Sequence, residues 1–291
     1  MPRQIVTILS TNYAGSHFLS LMLGSHSRVA HIGEVRSQRR AYRKPRVPCH
    51  LCDDLSQCPI VRGVTPGSID NVYDTIFNNF DDANLDALVD TSKQIDWARR
   101  FVGHKRYRIR YIHLIRDPRA LVRRWTQLYA GSVRKRWHER WKAARRPPGS
   151  FASLLTGRQW RVYLSRWLTE NQRISRFIRR YDLDAAVVTY RDAALEPEPT
   201  VRRIMTWLEL PFEPGQLEYW QFDHHGSEKR DYEWIKRQQT RYFDQRWKED
   251  LGDQVQQAIT HDVPVCDYLD AQDLELTDEG LVVSTAKAQP T

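Results

Sequence analysis

The sequence predicts an α/β fold, a central and mostly parallel sheet with helices on both faces. Three observations predict it. Short apolar runs recur along the 291 residues, most without polar alternation, as expected of strands buried on both faces. Helical patterns lie between most of these runs. The first run passes through a loop of small residues straight into a helical pattern, the opening of a strand–helix unit.

In chain order, Ile5–Leu9 reads as the first strand and Ser16–Leu23 as the helix it feeds. Val29–Ile32 reads as a second strand. Residues 38–68 break the pattern, being basic, then cysteine-bearing, then rich in Gly and Pro, and read as an insertion. Ala87–Val89 is a third strand and Ile95–Val102 a helix. Tyr111–Ile115 is a fourth strand, followed by a long basic helix over Arg119–Arg145 that Pro147-Pro148-Gly149 stops. Arg158–Arg180 is a further helix and Ala185–Thr189 a fifth strand. One domain spans 1–270. From about Asp273 the chain is polar without periodicity, so 271–291 is expected to be a disordered tail.

A chain of this length buries one substantial core. There is no internal repeat. No apolar run is long enough to span a membrane, and Met1-Pro2-Arg3 leads into a short strand without the apolar core of a signal peptide, so a soluble, cytoplasmic protein is expected. A net charge of +9 points to acidic ligands or surfaces. Many of the ten Trp lie beside Arg or Lys.

Two junctions carry chemistry. In the loop Ser10-Thr11-Asn12-Tyr13-Ala14-Gly15-Ser16-His17, Gly15 permits a tight turn, and successive N–H groups at the helix start suit an anion. The alternative is an ordinary turn with Ser16 as N-cap. The loop lacks the Gly-Lys-Ser/Thr ending of a nucleotide triphosphate loop, which argues against a Mg-nucleotide hydrolase or kinase. In Ile112-His113-Leu114-Ile115-Arg116-Asp117-Pro118-Arg119-Ala120, a strand delivers Arg116 to a helix whose first turn tolerates Pro118. A forked, always-charged donor there suits phosphate or sulfate. An Arg116–Asp117 ion pair is the alternative.

Several stretches, taken in order, resemble the sulfotransferases that use 3'-phosphoadenosine 5'-phosphosulfate (PAPS). The first loop is similar to their 5'-phosphosulfate loop and Arg116-Asp117-Pro118-Arg119-Ala120 to their 3'-phosphate motif. Val89-Asp90-Thr91-Ser92-Lys93 resembles a segment common in bacterial members. The stretch from Val188-Thr189-Tyr190 to Glu196-Pro197, with Trp207-Leu208-Glu209-Leu210-Pro211, resembles a later region, and Trp247-Lys248-Glu249-Asp250-Leu251 the C-terminal helix. The resemblance spans roughly 4–270. It implies a three-layer, P-loop-like fold and transfer of a sulfuryl group from PAPS to a hydroxyl of a carbohydrate, a tyrosine or a small alcohol. No metal is required, and nucleic acid is not an expected partner.

Sulfuryl transfer, like phosphoryl transfer, is mostly positioning and electrostatics, with a base for the acceptor. The resemblance implies Glu34 as that base, as in tyrosylprotein and some carbohydrate sulfotransferases, with His17 and His31 as weaker alternatives. Lys93 is implied as the cation at the leaving oxygen. Asn12, Tyr13, Ala14, Gly15, Ser16 and His17 would hold the phosphosulfate, and Arg116 with Arg124 the 3'-phosphate. Tyr190 and the late loop residues Ser227, Lys229 and Arg230 would complete the donor site. Two positions depart from the family pattern: Tyr13 replaces a basic residue, and Arg124 stands where Ser is usual. An inactive relative would also fit those departures.

Cys49, Cys52 and Cys58 offer ligands of the kind zinc takes. His50 lies between the first two and reaches a common ion with difficulty, so His104 or another residue would be needed. A structural knuckle, reduced or disulfide-closed, is the favoured reading, and Cys266 reads as a buried single thiol. The basic helix carries Trp137 and Trp141 four apart on one face. Its default reading is a solvated helix with both Trp packed on the body. It also suggests an acceptor wall, or a non-catalytic protein binding nucleic acid or anionic glycan.

Overall fold

All five expected strands are present, and they run in one direction. The computed structural model describes residues 3–36, 49, 51–52, 54–60, 62–63, 71–80, 85–144, 157–225 and 243–284. Among these, β1 (Gln4–Ser10), β2 (Val29–Gly33), β3 (Ala87–Lys93), β4 (Arg108–Ile115) and β5 (Ala185–Thr189) form one sheet in the order β2-β3-β1-β4-β5. Every pairing is parallel. The α/β, three-layer expectation holds.

β1 is the middle strand, and all seven of its residues are buried, as its unbroken apolar reading requires. Val6 and Ile8 face a layer built from α1 (Ser16–Leu23), helices from the 190–207 region and a short 3-10 segment at Pro214–Gln221. Ile5 and Leu9 face the other layer. Ile5 packs with α2 (Val72–Asn79) and α3 (Ile95–Ala98), and Leu9 packs with the helix over 159–180. The chain leaves β1 for β2 and β3 on one side and reaches β4 and β5 on the other. The loop after β1 therefore lies at the point where strand order reverses, where open α/β sheets bind ligands.

Three expectations need correction. The helix over Arg119–Arg145 is two helices, α4 (Pro118–Tyr129) and α5 (Val133–Ala144). Gly131 costs about 1 kcal/mol in a helix interior, and Ser132 restarts the chain by accepting from Lys135 N at 3.3 Å. The expected stop at 147–149 lies outside the described residues. On α5, Glu139 pairs with Arg166 and Ala143 is buried. That fixes which face meets α6 (Gln159–Arg180), and leaves Trp137 and Trp141 56% and 48% exposed rather than packed on the body.

The third correction is the first part of the tail, up to residue 284; residues 285–291 lie outside the described residues. After α7 (Tyr190–Leu195), α8 (Pro197–Trp207), α9 (Trp247–Asp250), α10 (Asp253–Thr260) and α11 (Val263–Asp270), residues 274–283 form an antiparallel hairpin, β6 (Leu274–Thr277) and β7 (Gly280–Val283). Leu274 and Leu281 bury beside Trp125, Trp167 and Trp247, and Gly280, at φ 125°, follows the turn at 278–279 and pairs with Thr277. The polar residues that suggested disorder are the outward half of a short alternation. Among the described residues no helix is long and apolar enough to cross a membrane.

Candidate active site

The carboxyl edge of the sheet collects the expected residues in strand order. Glu34 follows β2, Lys93 ends β3, residues 11–15 follow β1, Arg116 follows β4, and Tyr190 follows β5.

The central loop is wound by two left-handed residues, Tyr13 at φ 72° and Gly15 at φ 101°. Gly15 caps α1, and no side chain does. Ser16, expected as a possible N-cap, is the buried first helical residue. A Cβ on Gly15 would stand 2.5 Å from Cδ2 of Tyr190, so only glycine fits. Ala14 is buried, whereas Asn12 is exposed. The N-terminus of α1, with no side-chain cap, thus opens on the sheet edge with its dipole positive. Ser10 Oγ and Arg116 Nε flank it, both buried and with no hydrogen-bond partner among the described residues. An anion seated at this loop would meet donors already out of water, which fits a phosphosulfate.

Glu34, His17 and Lys93 converge at the start of α1. Lys93 Nζ donates to Glu34 Oε1 and lies 3.1 Å from His17 Nε2, and His17 Nε2 lies 3.2 Å from Glu34 Oε1. Burial pushes the Glu34 carboxyl up. The hydrogen bond to His17 and the Lys93 ammonium outweigh it and hold the group down to about 2. Lys93 reaches the cluster because its backbone is left-handed, φ 62°, where the β1–β3 register shifts between Thr7 and Leu9. His31 is elsewhere. It is buried, bonded to Ser20 Oγ, and set edge-on against His224 at 6.0 Å, a core histidine rather than a member of this cluster.

Asp90 governs that turn. Its carboxylate accepts from Ser92 N at 2.7 Å, Ser92 Oγ, Tyr73 OH at 2.7 Å and Trp97 Nε1 at 2.8 Å. Ser92 Oγ in turn accepts from Arg36 N at 3.0 Å, tying the end of β3 to the residues after Glu34. Burial pushes the Asp90 carboxyl up against these bonds.

Arg116 does not pair with Asp117, which caps α4 through Arg119 N and makes a buried ion pair with Arg119. Instead its guanidinium lies 4.2 Å over the Tyr190 ring, donates to Tyr13 O at 2.9 Å and reaches Asp244 Oδ2 at 3.2 Å. Burial pushes the Asp244 carboxyl up, but Arg246 and Arg116 hold it well below the usual carboxylate range. Arg124 sits 5.1 Å over the Tyr13 ring. It therefore brings positive charge to the loop position where the resemblance expects a basic residue. Ser227, Lys229 and Arg230 lie outside the described residues.

Sequence reasoning did not single out Asp90 within its segment, and it missed Asp244 altogether. Asp244 is 128 residues from Arg116, and no local spacing marks it. His104, suggested as a metal ligand, stacks on Tyr107 instead. His225 takes its place beside the cysteines. A cavity of about 540 Å³ lined by Arg119, Trp247, Asp253, Gln256 and His261 holds none of the expected site residues.

Solved structures similar to this chain include the sulfotransferase domain from the curacin biosynthetic pathway, at 18% identity and TM-score 0.49, with 90% of this chain and 97% of that one covered. The sulfotransferase domain from the Synechococcus PCC 7002 olefin synthase is 20% identical at TM-score 0.45, covering 76% and 78%. A sulfotransferase from Alicyclobacillus acidocaldarius is 14% identical at TM-score 0.37, covering 85% and 100%. No protein-family model and no curated protein matches the sequence. Likeness at this level assigns no residue of this chain a role.

Proposed function

We propose that the chain transfers a sulfuryl group from PAPS to a hydroxyl acceptor. The observation that carries the reading is the meeting of Glu34, His17 and Lys93 at a helix N-terminus without a side-chain cap on the sheet edge. In-line transfer between two oxygens needs three things there: N–H donors on the transferred group, a cation for the oxygen that departs, and a base for the oxygen that enters. The loop before α1, Lys93 and Glu34 supply them in adjacent strands.

In the forward step, Glu34 takes the acceptor hydroxyl proton as that oxygen bonds to sulfur. The bond from sulfur to the 5'-phosphate oxygen breaks, and Lys93 neutralises the charge left on that oxygen. A carboxylate held near pKa 2 by His17 and Lys93 together is a weak base. Drawing the ammonium toward the departing oxygen releases it, so basicity rises when donor is bound. His17, within reach of both partners, steadies the carboxylate. Arg116, stacked on Tyr190, faces the 3'-phosphate, with Arg124 and Tyr13 closing the other side of the loop.

Calorimetry tests this. The chain should bind 3'-phosphoadenosine 5'-phosphate clearly more tightly than AMP, and Arg116→Ala should abolish the preference. Glu34→Gln should lower turnover far more than donor affinity. Equal binding of both nucleotides refutes the reading, and salt-sensitive binding of oligonucleotide alone would favour a nucleic-acid protein.

A further inference from the structure

Outside the sheet edge, one cluster of side chains has the composition and spacing of a metal centre. Cys49, Cys52 and Cys58 meet His225 across more than 160 residues of chain. His225 Nδ1 lies 3.7, 3.4 and 4.0 Å from their three sulfurs, and all four atoms fall within 4.8 Å of one another. For a tetrahedral zinc ion, with Zn–S near 2.3 Å and Zn–N near 2.05 Å, the expected separations are about 3.5 Å for sulfur to nitrogen and about 3.8 Å for sulfur to sulfur. The observed nitrogen distances bracket that value.

The geometry points to a structural Zn2+ site of three thiolates and one imidazole. Soft thiolate with imidazole selects zinc over magnesium, calcium or manganese, and four protein ligands leave no open position for chemistry. The surroundings suit an ion shielded from water. Cys49 and Cys58 are buried, and both pack with Ile60, Tyr73 and Phe77 in the apolar cluster beneath β2. Phe80 sets its ring edge-on to His225 at 6.4 Å. The 3-10 turn Leu55–Gln57, begun by Asp54 accepting from Ser56 N at 2.9 Å, brings Cys58 back toward Cys52.

Such an ion would clip the cysteine segment to the residue after His224. His224 is itself fixed by Ser25 at 3.2 Å and by Tyr219 O at 2.8 Å. The metal would thus tie an excursion of the β2 side of the sheet to the chain that continues toward Asp244, with no part in group transfer. This inference stands whether or not the chain transfers sulfuryl groups.

Full-length protein purified from zinc-supplemented cells without chelator should carry about one zinc per chain by mass spectrometry of the metal. Titration with a mercurial thiol reagent should release it in step with three thiols, Cys266 reacting without release. Cobalt exchange should give the intense visible bands of a tetrahedral thiolate site. His225→Ala should weaken cobalt affinity at least tenfold, while His225→Cys retains the metal and His104→Ala changes nothing. Wild-type protein that stays metal-free after reconstitution under reducing conditions overturns the assignment, as does a Cys49–Cys52 disulfide in protein purified reduced. Retention of the same cobalt spectrum by His225→Ala removes the histidine from the site and overturns it equally. Where a cysteine variant fails to fold, the wild-type thiol count and spectrum decide.

Discussion

Replacing Lys93 with Met removes the cation that faces Glu34 while keeping much of the side-chain volume. The consequence follows from the carboxylate. Its ordinary value of 4.5 falls to about 2 in the folded chain, and its side chain is only 20% exposed. A difference of about 2.5 units at about 1.4 kcal/mol each favours the ionised folded state by on the order of 3 kcal/mol at pH 7. Because the folded value lies below the unfolded one, this contribution is complete above pH 4.5 and is lost as pH falls through 2. At pH 3 about 1.5 kcal/mol is left. Without Lys93, burial pushes Glu34 up against the hydrogen bond to His17. The variant should therefore lose about 2–3 kcal/mol at pH 7 and markedly less at pH 3. Urea denaturation followed by Trp fluorescence at both pH values measures this. A cycle with Glu34→Gln should return a coupling above about 1 kcal/mol. An equal loss at pH 7 and pH 3, together with additive single variants, would refute the reasoning.

Three further outcomes are expected. Gly15→Ala should destabilise the fold by at least 1–2 kcal/mol from its left-handed backbone alone, since a Cβ there also meets the Tyr190 ring; a loss of unfolding free energy below about 0.5 kcal/mol in urea denaturation contradicts the close packing. Asp90→Asn should cost about 2–4 kcal/mol, because in either orientation its NH2 meets an N–H that can only donate, Trp97 Nε1 on one side or Ser92 N on the other; unchanged denaturation would contradict the network. Asp244→Asn removes the charge that occupies Arg116, so calorimetry should show 3'-phosphoadenosine 5'-phosphate bound several-fold more tightly. Weaker binding would mean that Asp244 orients Arg116 instead of competing for it.

The sheet was legible in the sequence because strands buried on both faces announce themselves as unbroken apolar runs. Ala185–Thr189 and Ser16–Leu23 match their observed bounds. The candidate site was legible where a charged residue sits next to a strand end, as with Glu34, Lys93 and Arg116. Partners brought in by tertiary folding were not. Asp244 and His225 come from segments with no local signature, and the Arg116–Asp117 alternative failed because Asp117 was needed as a cap for α4. The long basic helix was overextended because a lone glycine, Gly131, is a weak break between two helical segments that are both basic. The hairpin at 274–283 was missed because its alternation covers only four residues a strand, with polar residues outnumbering the two leucines it buries.

The strand order also makes the sheet edge a ruler. Neighbouring strands stand about 4.8 Å apart, and Lys93 and Arg116 terminate strands separated only by β1. The register sets Arg116 three residues further along than Lys93, so about 10 Å across the edge and about 10 Å along it put their backbone anchors roughly 14 Å apart, whatever the connecting loops do. The proposed donor, engaging both, would place its two anionic groups across a span bounded by that backbone separation and the reach of the two side chains. A molecule with one such group satisfies half the edge at most. Loop exchange can change what is accepted beside this edge, but the length it measures alters only if a strand is inserted, lost or slipped in register.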